Sequence, residues 1–180
     1  MKDKRLVVLN LVRSNPHATI AEIGVWKGEL AMGLLETVSG IKNYFLVDPF
    51  KVEFNDIPEH DYVCDMGEPF KTQEELDLMH DTLKASLPGN AELVRSTSWE
   101  AAPFFPAHYF DFVFIDAIHL YNEVKYDIKI WTPKIKPGGI LAGDDYGKDI
   151  FPGVTKAVDE LQDVVTTKEG IWHKRIKERT

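Results

Sequence analysis

Phe110-Asp-Phe-Val-Phe-Ile-Asp116-Ala-Ile-His119 and, one helix later, Gly138-Gly-Ile-Leu-Ala-Gly-Asp144-Asp145-Tyr146 decide the fold of this chain. Each is an apolar run that stops abruptly at carboxylates. A strand buried on both faces of a parallel sheet reads this way, and the carboxyl ends of such strands form the edge where open α/β folds bind ligands. Asp116, Asp144 and Asp145 are thereby predicted to meet at one edge. Three carboxylates repel one another unless protons or a cation neutralise them, and a hard divalent ion with oxygen ligands, Mg²⁺ or Ca²⁺, is the simplest neutraliser.

Working outward, elements of the two periods alternate along the chain. An opening helix on Leu6, Leu9 and Val12 ends at Asn15-Pro16, and a short strand follows from Thr19 to Ile23. Residues 29–38 are predicted helical and 44–47 form a second buried strand. Thr72 begins the next helix, with Glu75 three residues on completing a capping box, and Pro88-Gly89 stops it. Strands are expected at 92–95, 110–115 and 139–142, with helices at 99–105 and 120–131 between them. The second of these places Leu120, Val124, Ile128 and Trp131 on one stripe, as packing against a sheet requires. A last helix at 154–161 precedes two short strands, 164–165 and 171–176, joined at Lys168-Glu169-Gly170. The whole predicts one α/β domain, a three-layer sandwich over residues 1–180. The Pro/Asp/Gly-rich stretch within 49–70 reads either as a lid or acceptor loop or as disorder.

Composition sets mild bounds. At 180 residues and 44% hydrophobic, the chain suits a single domain that buries about 70% of its unfolded surface. Cys64 is its only cysteine, so an internal disulfide is excluded. There is no secretory n-region and h-region and no apolar run long enough to span a bilayer, which makes a soluble cytoplasmic protein without a membrane partner the expectation. A net charge of −8 argues against a nucleic-acid partner, because phosphate binding needs clustered Lys and Arg. The basic run at 173–179 fits a solvated edge strand or tail.

Glu22-Ile-Gly24-Val-Trp-Lys-Gly28 leaves the first strand and enters a helix. Gly24 allows close backbone approach to a ligand, Gly28 tight helix–strand packing, and the helix start offers free N–H groups. Dinucleotide binders carry Gly-x-Gly-x-x-Gly, which is absent here. Asp48 ends the second strand where an acid can accept from both ribose hydroxyls of an adenosine, or can simply be a turn acid before Pro49. Thr97 and Ser98 lie next along the same edge, as adenine contacts or as an N-cap.

With these motifs the chain resembles the class I S-adenosylmethionine-dependent methyltransferases, specifically the small metal-dependent O-methyltransferases of the catechol and antibiotic-sugar types. The resemblance implies a Rossmann-like sandwich with a seven-stranded, mostly parallel sheet and an antiparallel last strand. It implies that Glu22, Gly24, Val25, Trp26, Gly28, Asp48, Thr97, Ser98 and Asp116 lie against S-adenosylmethionine, and that Asp116, Asp144 and Asp145 bind Mg²⁺ or another divalent cation. Catechol-type members have lysine where His119 stands, three residues after Asp116. Histidine is a reasonable general base near neutral pH, though capping the next helix or orienting a carboxylate also fits. The expected reaction is in-line methyl transfer to a small-molecule hydroxyl of a sugar, polyol or catechol-like diol, with Asp116 and His119 at the chemistry. Two rivals are a nucleotide-dependent oxidoreductase and a non-catalytic cofactor-binding or regulatory module. The acceptor pocket falls to the 49–69 and 146–152 loops, the N-terminal helix, or a second subunit of a homo-oligomer. Phe50, Phe54, Tyr62, Phe70, Tyr146 and Phe151 are candidate walls or core, Trp26 a flank for the methionine portion, and Trp99, Trp131 and Trp172 read as packing.

Overall fold

A computed structural model describes residues 2–13, 18–52 and 72–177. Helix α1 spans Lys2–Arg13, β1 Thr19–Ile23, α2 Glu29–Thr37, β2 Asn43–Asp48, α3 Gln73–Ser86 and β3 Ala91–Arg95. Then come α4 at Ser98–Ala101, β4 at Phe110–Ile115, α5 at Tyr121–Trp131, β5 at Ile135–Gly143, α6 at Pro152–Asp159, β6 at Val165–Thr166 and β7 at Trp172–Arg175. The strands form one sheet in the order β3-β2-β1-β4-β5-β7-β6. Strands β1 to β5 pair parallel, and β7 enters antiparallel between β5 and β6. The strand order reverses between β1 and β4, which is where such sheets open a crevice for ligands.

Side-chain alternation builds the layers. Ile20, Leu46, Phe112, Phe114, Ile140 and Ala142 face a core shared with Val8, Val12, Leu34, Leu76 and Leu83 of α1 to α3. Ala21, Ile23, Val47, Val113, Ile115 and Leu141 face the opposite core with Val124, Ile128, Trp131, Val154 and Val158 of α5 and α6. Strands β1, β2, β4 and β5 are covered on both faces, hence their apolar runs.

Three expectations shift. The buried stripe of α1 is Val8 and Val12, while Leu6 is 52% exposed. Strand β5 begins at Ile135, four residues before the predicted start, because Pro137-Gly138-Gly139 continues the strand through an irregularity opposite Phe110 and Phe112 rather than ending it. Trp99, expected as packing, is 42% exposed, whereas Trp131 and Trp172 are fully buried. The capping box at Thr72 and Glu75 forms in full. Phe54, Tyr62, Phe70, Cys64 and most of the 49–70 loop lie outside the described residues. Among those described, no helix is long and apolar enough to cross a membrane.

Candidate functional site

The carboxyl ends of β1, β2, β4 and β5 converge. Gly24 sits at φ +85° in the turn after β1, and a Cβ built there would stand 2.0 Å from the Asp116 carbonyl oxygen. The close approach Gly24 permits is therefore, first, to the backbone at the end of β4. Gly28, at φ +72°, faces Leu83 of α3, whose Cδ1 a Cβ would meet at 2.5 Å. Trp26 also holds a left-handed backbone, φ 53°, and its strain is tolerated because the turn is tied down on both sides.

Asp48 ties it. Its Oδ2 accepts from the Val25 and Trp26 amides at 2.9 and 3.1 Å, and its Oδ1 from the Phe50 amide at 2.8 Å. A carboxylate offers about four lone-pair positions, so one is left on Oδ1. Asp48 can thus accept from one ribose hydroxyl with the turn as it stands, and from a second only by releasing an amide. The hydroxyls of Thr97 and Ser98 are likewise engaged within the protein. Thr97 caps α4 in a reciprocal box with Glu100, and buried Ser98 donates to Asp127 while accepting from the Trp131 indole at 2.8 Å.

Glu22 lies beneath the turn, 3% exposed, accepting from the Tyr44 hydroxyl. Burial, assisted by the charges of Asp116 and Asp48 and opposed by the Tyr44 hydrogen bond, pushes its carboxyl from an ordinary 4.5 up to about 8. The unfolded chain releases this proton near 4.5 and the folded chain near 8, so the stabilisation is full below 4.5 and is lost as pH rises between the two values. Thermal melts from pH 5 to 8.5 should accordingly fall more steeply for the native protein than for Glu22→Gln, which keeps the neutral shape; parallel curves would refute a protonated Glu22.

The acids at β4 and β5 meet at one edge, where burial and the charges of Asp116 and Asp145 all raise the carboxyl of Asp144, but their nearest partners differ. Asp116, His119 and Asp145 offer ligand atoms within 4.8 Å of one another, whereas Asp144 turns to Lys4 of α1, whose Nζ lies 2.7 and 2.8 Å from its two oxygens. The Asp145 amide also donates to Asp144 Oδ1 at 2.6 Å. His119 Nε2 is 2.9 Å from Asp145 Oδ2 and 3.4 Å from Asp116 Oδ1, and its ring stacks on Phe151 at 4.0 Å. Lys148 pairs with Asp145 as well. Three carboxylates therefore face two ammonium groups and an imidazole, so mutual repulsion by itself no longer demands a metal.

The titrations reflect this balance. Burial opposes a charged His119, but the flanking Asp116 and Asp145 outweigh it and raise the imidazole to about 9. Burial raises Asp144 to about 6, with Asp116 and Asp145 adding and Lys4 opposing. Burial also works against ionised Asp145, yet His119 and Lys148 hold it well below the usual carboxylate range. Against burial, Asp116 and Asp145 thus favour the charged imidazole, a tuning that the sequence alone does not show. Asp145 adopts φ +67°, which aims its side chain back toward His119.

The arrangement matches a known family. Residues 21–146, more than half the chain, match the family profile of a methyltransferase domain. The chain belongs to that family. Among solved structures, the O-methyltransferase NovP superposes with a TM-score of 0.65 at 18% identity, covering 98% of this chain and 79% of that one. CalS11, a TDP-rhamnose 3'-O-methyltransferase of calicheamicin biosynthesis, gives 0.61 at 18% identity, covering 97% and 79%. The N-methyltransferase NodS from Bradyrhizobium japonicum, bound to S-adenosyl-L-homocysteine, also gives 0.61, at 13% identity over 98% and 87%. At these identities the likeness is one of fold, and it extends the methyltransferase fold past residue 146 to β7. No curated protein matches the sequence.

Lys4 is the site residue that sequence reading missed. Its partner lies 140 positions away, and the one available signal was its spacing of four from Val8 and eight from Val12, which sets all three on one helical face.

Proposed function

We propose that this methyltransferase domain transfers the methyl group of S-adenosylmethionine to a hydroxyl of a small molecule bearing neighbouring oxygens, a sugar, polyol or catechol-like diol, with a divalent cation at Asp116, His119 and Asp145. The observation that carries this reading is the junction of the Gly24 turn with that cluster: the Asp116 carbonyl packs directly against Gly24, so a cofactor in the turn and an acceptor at the carboxylates share one edge. Two of the structural neighbours are O-methyltransferases, one of them acting on a sugar, and this supports the choice of oxygen.

Ligand spacing suits a cation, since donors about 2.4 Å from a shared ion lie at most about 4.8 Å apart. The donor set is mixed rather than all-oxygen, and an imidazole beside two carboxylates favours Mn²⁺ or a later transition metal over Mg²⁺ or Ca²⁺. Bound there, the ion supplies Lewis-acid polarisation of the acceptor oxygens. S-adenosylmethionine supplies an electrophilic methyl group on sulfonium.

The chain's own groups do the rest. The Asp48-tied turn holds its shape before any ligand arrives, and neutral Glu22 gives the cradle floor one hydrogen-bond donor. His119 Nε2, once neutral, would be the nitrogen that ligates the ion, so its lone pair is committed there and the proton of the polarised hydroxyl leaves to water. Phe151 stacks on that ring and keeps it oriented.

The direct test is thermal unfolding with S-adenosylhomocysteine, NAD, Mn²⁺, Mg²⁺ or EDTA. Ligand at 100 times its Kd adds about 2.7 kcal/mol, a shift of a few degrees for a domain this size. Stabilisation by S-adenosylhomocysteine with a separate increment from Mn²⁺ is the expected outcome. A response to NAD alone would overturn the assignment.

A further inference from the structure

Lys4 reaches the carboxylates from outside the sheet. Val8 and Val12 anchor the body of α1 in the core, Arg5 pairs with Glu29 at the start of α2, and the Arg13 guanidinium donates to the Thr37 carbonyl at its end. Lys4 lies one turn before Val8 on the same face, so docking α1 delivers an ammonium to the end of β5. There Nζ contacts both oxygens of Asp144 and sits 3.3 Å from Asp145 Oδ1. Its side chain is 26% exposed, and those of Asp144 and Asp145 only 13% and 8%.

Asp145 is therefore shared. Its Oδ2 faces His119 and the candidate cation cluster, while its Oδ1 faces Lys4 and Lys148. A doubly charged ion held through Asp145 would stand against a tethered positive charge on the same carboxylate, a repulsion that a partly buried site screens poorly. Asp144, the one acid of the three outside the cluster, is the acid that Lys4 occupies on both oxygens.

We propose that Lys4 is a tethered competitor of the cation site: it pairs with Asp144 and reaches the shared Asp145, a divalent ion at Asp116, His119 and Asp145 binds in competition with it, and metal entry releases the first turn of α1. Lys4 acts through the carboxylates and is a positioning residue that sets metal affinity. This rests on the cation reading above.

Mn²⁺ titration of the full chain, followed by loss of the free-ion paramagnetic resonance signal, tests it. Lys4→Met should bind Mn²⁺ at least tenfold more tightly than the native protein, Lys4→Gln likewise, and Lys4→Arg should stay near native because the charge remains. Hydrogen exchange at the amides of residues 6–9, which bond to the carbonyls of the first turn, should accelerate on Mn²⁺ addition in the native protein. Equal affinities for native protein and Lys4→Met would overturn the competition while leaving the cation reading intact. No Mn²⁺ binding in any variant, with S-adenosylhomocysteine still stabilising the fold, would remove the cation reading and the proposal together. If Lys4→Met melts early, Lys4→Gln carries the comparison.

Discussion

Gly24→Ala should cost this protein about 2–5 kcal/mol of stability, with far-UV circular dichroism melting many degrees early. The added Cβ would lie 2.0 Å from the Asp116 carbonyl oxygen, 2.6 Å from its carbon and 2.8 Å from the Ala117 Cα, all of them backbone. No side-chain rotation can relieve that clash, so β1 and β4 would have to separate where they pair through Ile23 and Ile115. A left-handed alanine adds about 1–2 kcal/mol and overpacking about 1–3, against a typical total of about 5–15. The matched control is Gly33→Ala. That glycine lies in α2, where an added methyl group would have nothing within 4 Å, and helix propensity predicts a gain of up to about 1 kcal/mol. Similar melting of the two variants would mean that the turn is looser than its geometry indicates.

Asp145→Asn should lower methyl transfer to a diol acceptor by about 100-fold or more. The change removes the charge that pairs with His119, Lys148 and Lys4 at once, and with it one of the three candidate cation ligands. His119 should lose part of the elevation that takes it to about 9, which its C–H resonances report in a pH titration by proton NMR. Asp144→Asn separates two ligand sets. If Asp116, His119 and Asp145 hold the ion, Asp144→Asn weakens Mn²⁺ binding little or tightens it by loosening Lys4. If all three acids hold it, as the sequence motif alone implies, both variants lose the ion equally.

Much of the architecture was legible because the central strands β1, β4 and β5 are buried on both faces and the helices that cover them on one. Phe112 and Phe114 against Val113 and Ile115 already encode two layers of helices about one sheet. The start of β5 was placed late, at Gly139, whereas the strand runs from Ile135 through Pro137-Gly138-Gly139. In the site, local motifs located every acid but not its partner. Which carboxylate turns to which cation depends on α1 lying across the end of β5, a contact between segments at opposite ends of the sequence. The same limit applies to Asp48: its place at the strand end is read directly, while two of its three amide bonds depend on the path of the turn after β1.

The placement of β7 bears on the order in which a nascent chain matures. The backbone carrying Asp144 and Asp145 is braced from residues made well after it: the Tyr146 amide donates to the Gly170 carbonyl at 2.9 Å, and Trp172 packs against Gly143. During synthesis the five parallel strands can pair as they emerge, yet the carboxylate corner lacks this brace until β7 has cleared the ribosome and inserted beside β5. The turn tied by Gly24 and Asp48 can therefore form before the carboxylate corner is fully braced.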